Sequence, residues 1–453
     1  MSIQKSIYEE LILESSDRSR TIDISTGAIS IDYYEDIFSP IITAKIKVIN
    51  TGNTIVAENG TGRQSIYNGL PLRGGERVSM KIAGNSATNP GLDFTKRVAD
   101  YLYVSSITDV ISETNQESFT LHLVSREAIT NETVRVGKKF KVDSAISDSV
   151  ENILTNYLKT EKIGAIDKSS NKYGFIGNLR KPFTLLVWLA SKAVPQSSGS
   201  ATAGFLFYQT QDGFQFRSVD GLITQPPRTD INDTRVVYTY NQVNQAYDEN
   251  DDKVNNDFRI LNYYIEKNQN LIEKLKLGTY ASHRMFFNPL DFSFSKPEEG
   301  KFKLEDYAGK SNNLGSQIKL PPLSDGSDLT LGDVPTRIIT AVYDVGTLNP
   351  ATSLEVSSKI NSDQTLYQSQ SLMRYNILFT QTLSIIVPSN TNLRAGDVVE
   401  CRFPKITQSD AKEYDTETSG LYMIKELCHH FDANRSYTSM KLIRDTFGIN
   451  KKA

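Results

Sequence analysis

Both ends of the chain alternate apolar and polar residues with a period of two, which is the pattern of half-buried β-strands. The clearest case is "ESFTLHLVSRE", in which Phe119, Leu121 and Leu123 share one strand face. Near the other end, the pattern predicts strands over "TQTLSIIVPS", "DVVECRFPKI", "LYMIKELCHHF" and "RSYTSMKLIRD". Turn-forming residues separate these runs, so the sequence predicts two β-rich regions.

The region from about residue 128 to 222 has a different pattern. "DSAISDSVENILTNYLK" places Ile146, Val150 and Ile153 on one face of a helix, and "KPFTLLVWLASKAV" begins with a proline suited to a first helical turn. "FLFYQTQDGFQFRSV" alternates on both sides of Asp212-Gly213, as expected of a hairpin. We therefore predict a separate α+β block between the two β-rich regions.

One ten-residue stretch occurs twice. "LRGGERVSMK" (Leu72–Lys81) and "LRAGDVVECR" (Leu393–Arg402) share a Leu, an Arg, the second Gly and a Val, and four further positions are close replacements. A Gly followed by an acid indicates a tight turn, and the alternation after it indicates a strand. The pair predicts the same turn and strand in two copies.

The repeat extends beyond this stretch. "FTLHLVSRE" (Phe119–Glu127) aligns with "YTSMKLIRD" (Tyr437–Asp445) at a matching distance from the turn. A weaker match relates "DYYEDIFSPIITAKIKV" (Asp32–Val48) to "NYYIEKNQNLIEKLKL" (Asn262–Leu277), through a tyrosine pair and then K-I-K-V against K-L-K-L. The sequence thus predicts two copies of one antiparallel β-unit, the second of them split by an insertion.

The predicted fold class is mainly β with an α+β insertion: two similar antiparallel β-barrel domains, a smaller α+β domain and a loop-rich insertion. Barrels are expected because closure hides the edges of a small sheet. Within the second copy, "IITAVYDVG" predicts a strand and "TLYQSQSLMRYN" a short helix. The predicted boundaries are 1–127 for the first barrel, 128–225 for the α+β domain, 226–305 for the first part of the second barrel, 306–363 for the insertion and 364–453 for the second part.

Composition narrows the functional classes. The 453 residues include 50 Lys plus Arg and 53 Asp plus Glu, a formal charge of -3, which argues against a nucleic-acid-binding protein. No apolar run approaches the roughly 20 residues that span a bilayer, and we expect no membrane insertion. The start, "MSIQKSIYEELILESSDRSR", has no uninterrupted apolar segment, so we expect an unexported chain with reduced Cys401 and Cys428.

Two candidate sites for phosphate or sugar chemistry are weak. Gly309-Lys310-Ser311 resembles the end of a phosphate-binding loop, but the position that requires the first glycine is Leu304. The acidic clusters "YYEDI" and "YDENDD" contain the residue types of a glycosidase pair, yet nothing in the sequence brings two acids together in a cleft. No G-x-S-x-G nucleophile motif is present.

A metal site is also disfavoured. In "LCHHF", Cys428 and His430 share a strand face and His429 faces the other way. No spaced pair of ligands on another element joins them, even with Cys401, so a structural role is expected. We predict no catalytic residues, no cofactor and no metal.

Two stretches resemble a known family. These are the region Tyr367–Phe447, with "SIIVPSNTNLRAGDVVECRFP" and "GLYMIKELCHHFDANRSYTSMKLIRD", and the middle segment "KPFTLLVWLASKA…GFLFYQTQDGFQFRSVDGL". They resemble the central baseplate hub proteins of contractile-tailed bacteriophages, a group to which the hub portion of type VI secretion spike proteins is related. The residues that follow Ala308, up to Asn361, have no counterpart in this resemblance.

The resemblance implies a structural, non-enzymatic role in the virion tail baseplate, with assembly in the host bacterial cytoplasm. Hubs of this kind are homotrimers whose six similar barrels adapt a hexameric tail tube, or its initiator protein, to a trimeric spike. DNA passes the axial lumen without specific binding, and baseplate wedge proteins are expected around the ring. Since no β-helix repeats follow the second copy, we expect the spike to be a separate protein.

Two other functions stay open from the sequence. One is a cell-wall-degrading tail enzyme built on β-domains. The other is the hub of a contractile secretion system without a virion.

Overall fold

The computed structural model describes residues 4–51, 54–56, 62–70, 72–86, 88–196, 202–240, 256–266, 270–304, 313–316, 320–344, 361, 364–405 and 414–449. Strands are the commonest regular structure among these residues and pair mostly antiparallel, and four of the helices lie between residues 126 and 224. None of the described helices is long and apolar enough to cross a membrane.

The first β-unit, called unit 1, comprises the strands up to residue 125. Its elements are β1 (Tyr8–Glu14), β2 (Thr21–Asp23), β3 (Ala28–Asp36), β4 (Thr43–Asn50), β5 (Ile55–Val56), β6 (Arg63–Gln64), α1 (Ile66–Gly69), β7 (Arg77–Ile82), β8 (Leu92–Asp93), β9 (Leu102–Ser112) and β10 (Glu117–Ser125). The main sheet runs β3-β4-β10-β9-β7-β1-β2, with every neighbour antiparallel. Hydrophobic alternation is strict in β10, whose inward residues lie in the core.

The middle block is the predicted α+β region. Its elements are α2 (Arg126–Thr133), β11 (Lys139–Phe140), α3 (Ile146–Ile153), a π-helical turn (Leu154–Leu158), β12 (Ile163–Ile166), β13 (Phe175–Ile176), α4 (Pro182–Ala190), β14 (Phe205–Thr210), β15 (Gly213–Ser218) and α5 (Val219–Thr224). The hairpin β14–β15 pairs in the register predicted around Asp212-Gly213. Both predicted helices are confirmed, and their apolar faces cover this hairpin.

A further sheet lies in the second half of the chain. After β16 (Val237–Thr239), β17 (Asn262–Glu266) and α6 (Leu271–Leu277) come β18 (Ala281–Asn288), β19 (Ser293–Phe294), β20 (Lys301–Lys303) and β21 (Arg337–Val342). Strand β18 pairs antiparallel with β19 and β20 and parallel with β21, the strand predicted from "IITAVYDVG". Part of the predicted insertion is therefore an ordered sheet, while the domain boundaries themselves stay predictions.

The second β-unit, unit 2, repeats the topology of unit 1. It combines β16 and β17 with β22 (Gln381–Pro388), β23 (Val398–Arg402), β24 (Gly420–Asp432) and β25 (Ser436–Arg444), preceded by α7 (Gln364–Ile377). Its order is β17-β22-β25-β24-β23-β16, which matches β3-β4-β10-β9-β7-β1 strand for strand. The predicted duplication is confirmed. The units differ at the last pair, since β16 and β23 are parallel.

The mainly β class with an α+β block is confirmed, but closure into two barrels is not found among the described residues. The units are joined edge to edge in one 14-stranded sheet, because β24 of unit 2 pairs with β3 of unit 1. The edge of β3 is thereby covered by the other unit, which removes the need for each unit to close on itself.

The weaker sequence match was wrong in its second half. Strand β17 does take the place of β3, but "LIEKLKL" forms α6, and the counterpart of β4 is β22. Asn270 caps the helix by accepting a hydrogen bond from the backbone N–H of Glu273, and Gly278 ends it with a φ of 69°.

The predicted alignment of β10 with β25 is one residue out of register. Phe119 and Thr438 are both buried at the same register of their units, whereas Tyr437 faces outward. The two tyrosine pairs lie on equivalent strands but differ in register by two residues.

Candidate assembly site: the repeated turn and the shared strand

The first copy of the repeated stretch forms a tight turn that is locked to β9. Gly75 has a φ of 89° and donates its backbone N–H to the carbonyl of Val104 at 2.8 Å. Val104 in turn donates to the carbonyl of Glu76 at 2.8 Å. The buried Glu76 carboxylate accepts the backbone N–H of Arg73 at 2.7 Å, which closes the turn.

The second copy repeats these contacts. Gly396 has a φ of 94° and donates to Ile424 at 2.8 Å, and Ile424 donates to Asp397 at 2.8 Å. The carboxylate of Asp397 accepts the N–H of Arg394 at 2.9 Å. The equivalence predicted from the sequence is therefore confirmed at the level of individual hydrogen bonds.

The strands after the two turns also agree in register. Val78 opposes Leu102, and Val399 opposes Tyr422. Cys401, which takes the position of Met80, is fully buried in the core of unit 2, and burial raises the pKa of its thiol. Cys401 is thus a packing residue.

Strand β24 serves both units. Its first half pairs with β23 of unit 2, and its second half, from Glu426 to Asp432, pairs with β3 of unit 1. The change of partner falls at Lys425, whose carbonyl accepts the N–H of Ile37 at 2.9 Å. The ammonium of Lys425 lies 2.7 Å from the carboxylate of Asp36, so the crossover carries an ion pair as well.

The "LCHHF" residues are divided between the two faces of β24, as predicted. His430 faces outward, and its Nδ1 lies 2.5 Å from Oδ1 of Asp32, a contact that raises the pKa of the imidazole. Cys428 lies on the same face, 3.9 Å from the same carboxylate oxygen. His429 is buried and stacked on Tyr33, and burial lowers its pKa to about 3, so it is neutral.

These side chains hold the two units together and do not resemble a metal centre. Cys401 lies in the core of unit 2 and does not join Cys428 and His430. Within the part of the chain that the structure describes, no group of three or more His, Cys, Asp or Glu side chains could hold a metal ion.

Glu35 is the residue that the sequence interpretation missed. Its buried carboxylate accepts hydrogen bonds from the Tyr33 hydroxyl at 2.8 Å, the Gln211 N–H at 2.6 Å and the Ala395 N–H at 2.9 Å. These donors belong to unit 1, the middle block and the repeated turn of unit 2. Burial raises the pKa of Glu35 to about 6. Strand alternation in "YYEDI" placed Glu35 on the inward face with Tyr33, which was the available signal.

An ion pair reinforces this junction. Arg394 of the second turn lies 3.0 Å from the carboxylate of Asp212, which belongs to the hairpin turn between β14 and β15. The middle block is therefore attached to the repeated turn of unit 2 by side-chain contacts as well as through Glu35.

The remaining sequence candidates are the phosphate-loop-like segment and the second acidic cluster. Gly309-Lys310-Ser311 and the "YDENDD" cluster lie outside the described residues. Of the two histidines outside "LCHHF", His122 contacts Thr108 on β9, and His283 lies on β18 in the separate sheet. Of the two acidic clusters, "YYEDI" thus supplies a structural joint through Glu35 and an ion pair through Asp36.

The arrangement is matched in a solved structure. The chain is similar to the tail protein from Neisseria meningitidis MC58, with a TM-score of 0.50 and 10% sequence identity over 96% of both chains. The chain has the fold of this tail protein. Since the match covers 96% of the chain, the similarity in fold is not confined to one unit.

Further similar structures have lower scores. They include the 43 kDa tail protein of prophage MuSo2 from Shewanella oneidensis, with a TM-score of 0.49 and 9% identity over 96% of this chain and 98% of that one. The prophage tail protein gp18 from Listeria monocytogenes EGD-e has a TM-score of 0.44 and 11% identity over 98% and 96%. The sequence of the chain matches no protein-family model and no curated protein.

Proposed function

We propose that the protein is the structural baseplate hub of a contractile phage tail. Three chains form a ring, and their six β-units give it pseudo-sixfold symmetry. The ring joins a hexameric tail tube, or its initiator protein, to a trimeric spike and leaves an axial channel for DNA. The duplication carries this proposal, because two units with one strand order and one turn geometry can occupy equivalent places in a ring.

The contacts of the repeated turn support equivalent roles for the two units. The backbone hydrogen bonds of Gly75 and Gly396 join equivalent positions, Val104 and Ile424, at the same length, although most side chains differ between the units. The similarity in fold to tail proteins supports a place in a virion tail, surrounded by baseplate wedge proteins and assembled in the host cytoplasm.

The hub is proposed to act by geometry, without an enzymatic step. Its formal charge of -3 favours a channel that does not retain DNA, since a basic wall would bind phosphate.

The proposed non-enzymatic role has its own test. The purified chain, incubated with peptidoglycan beside a lysozyme control, should release no soluble fragments. Release above the level of a heat-inactivated sample would contradict the non-enzymatic role.

The ring is tested by particle mass and negative-stain imaging. We expect a particle of about 152 kDa, three times the 50.7 kDa of one chain, with six-lobed class averages. The measurement is made on the chain alone and on the chain co-expressed with the spike protein of the same tail. A monomer in both preparations would contradict the proposal.

A further inference from the structure

The shared strand β24 shows where a neighbouring copy of the chain can bind. From Glu426 to Asp432, β24 is covered by β3 of the same chain. The equivalent part of β9, Ser105 to Ser112, is exposed except for the half-buried Ile107. Among the described strands, β9 pairs there only with β10. The same half-strand is therefore covered in unit 2 and open in unit 1.

Corresponding bulges establish the equivalence of the two half-strands. The pairing of β9 with β10 shifts by one residue at Ser105, and the pairing of β24 with β25 shifts at Lys425. Lys425 is the residue at which β24 turns from its own unit to β3. Unit 1 thus has the same crossover feature, and a partner strand for it is lacking within the described chain.

The position of each residue past the bulge follows from the neighbouring strands. Ile111 opposes Ser118 on β10, and His430 opposes Tyr437 on β25, at the same register of the two units. A second bulge after Thr108 leaves Ile111 in this register. Ile111 therefore corresponds to His430, the residue that meets Asp32 across the internal junction.

The second open edge is that of β17, the counterpart of β3. Strand β17 pairs with β22 on one side, and no described strand pairs with its other side. Tyr264 opposes Ser384 as Asp32 opposes Lys45, so Tyr264 corresponds to Asp32. In β3 this edge is covered by β24, whereas in β17 Asn262, Tyr264 and Glu266 are exposed.

We propose that β9 of one copy adds to β17 of the next copy in the way that β24 adds to β3. Ile111 then lies opposite Tyr264 of the neighbouring copy, in the place of the His430–Asp32 contact. This inference rests on the proposed ring and names the strands that form it. Each chain offers one β9 and one β17, so three such contacts alternate with three internal junctions and the ring closes.

The exposed side chains suit this contact. Ile111 is 57% exposed and Tyr264 is 66% exposed, and Val110 beside Ile111 is also exposed. An open strand edge with exposed apolar residues promotes aggregation by edge-to-edge pairing unless a specific partner covers it. An Ile opposite a Tyr is a favourable cross-strand pair, and the backbone groups of both edges gain partners.

The test is a disulfide between copies. The full chain carrying Ile111→Cys and Tyr264→Cys is oxidised, and a short bis-maleimide serves as a second route. Opposed residues on paired strands lie close enough for either link. On a non-reducing gel we expect linked dimers and trimers, with the ladder ending at three chains because the ring is closed.

Three controls accompany this variant. Each single-cysteine variant should stay unlinked, which also measures any contribution from the native Cys401 and Cys428. Val98→Cys combined with Tyr264→Cys places the first thiol at another exposed apolar site, 54% exposed and in the helical turn before β9, and should give no ladder.

The outcomes separate this contact from the ring itself. A particle of three chains that fails to link through positions 111 and 264 by either route would overturn the pairing of β9 with β17. It would not contradict the trimeric ring. A chain that is monomeric by mass, alone and with its spike protein, and gives no linked species would overturn both. A ladder that continues past three chains would replace the closed ring with an open filament.

Discussion

Gly75 and Gly396 share a backbone conformation but have different surroundings. A side chain at either position is strained because both φ angles are strongly positive. A Cβ at Gly75 would meet no atom within 4 Å, whereas a Cβ at Gly396 would lie 2.4 Å from the hydroxyl of Tyr208. The two positions therefore separate backbone strain from steric collision.

We expect Gly75→Ala to lower the free energy of unfolding by about 1–2 kcal/mol through backbone strain alone. Gly396→Ala should cost about 1–3 kcal/mol more, because the added methyl group overpacks the site. Thermal and urea unfolding measure both losses. Removing the hydroxyl with Tyr208→Phe should restore part of the stability that Gly396→Ala loses. The same change should restore none of the stability that Gly75→Ala loses. Equal losses for the two alanines would contradict this account.

Glu35 should make stability depend on pH. Burial raises its pKa from 4.5 to about 6, so its contribution is fully present below pH 4.5 and is lost as the pH rises through 6. The loss amounts to roughly 2 kcal/mol. Unfolding is measured from pH 4 to pH 7 in the wild type and in Glu35→Gln. Both proteins keep Asp397, whose pKa burial also raises to about 6, so its effect cancels in the comparison. The difference in stability between the proteins should change over this range, and parallel curves would contradict the prediction.

The sequence predicted the turn conformation and the strand face of single residues well, because local backbone geometry determines both. The Gly-acid turns and the opposite faces of His429 and His430 follow from local rules and are confirmed. The role of Glu35 was not predicted, because its three hydrogen-bond donors come from distant parts of the chain. Alternation alone gave the face of the strand and not its partners.

At the level of elements, helix α7 is attached to the fold by a buried arginine. The guanidinium of Arg374 contacts the carboxylate of Asp220 at the start of α5 and lies 3.5 Å from that of Asp445 just after β25. The side chains of Arg374 and Asp445 are almost inaccessible to solvent, and that of Asp220 is 12% exposed. The helix thus links the middle block to unit 2.

Arg374→Met should lower the free energy of unfolding by about 3–5 kcal/mol, because it removes the arginine cation from the buried carboxylate of Asp445 and the partly buried carboxylate of Asp220. The exposed Leu372 on the same helix provides the control, since Leu372→Ala should change stability by about 0.5 kcal/mol or less. Chemical denaturation measures both. A loss below about 1 kcal/mol for Arg374→Met would show that the carboxylates are satisfied by other groups.

The error over "LIEKLKL" shows what limits prediction at this scale. The segment has apolar residues at spacings that suit a strand or a short helix equally. The cap at Asn270 and the stop at Gly278 decided for the helix. The counterpart of β4 lies beyond the inserted sheet, where local matching could not find it.

At the scale of the whole molecule, the sequence revealed the duplication and misjudged how its edges are covered. Two copies were visible because their turns have strict requirements. The pairing of β24 with β3 was not visible, because it joins segments from opposite ends of the chain through backbone hydrogen bonds that any residue can make.

The proposed ring contact should be insensitive to salt. Backbone hydrogen bonds and the Ile111–Tyr264 pair carry no net charge, so screening leaves them unchanged. The trimer fraction, measured by analytical ultracentrifugation, should stay constant between about 0.1 M and about 1 M NaCl. Ile111→Glu should reduce it strongly, while Val98→Glu, also at an exposed site, should not. Dissociation of the unmodified ring by salt would indicate an ionic interface instead.

Strand β24 also constrains the order of events during protein synthesis. Phe431 belongs to the core of unit 1, so that core lacks a component until the ribosome has translated residue 431. The edge of β3 in unit 1 therefore stays uncovered while the middle block and the first strands of unit 2 are synthesised. A stop codon placed just before Glu426 would leave both units without part of β24, and such truncated products should be rapidly degraded.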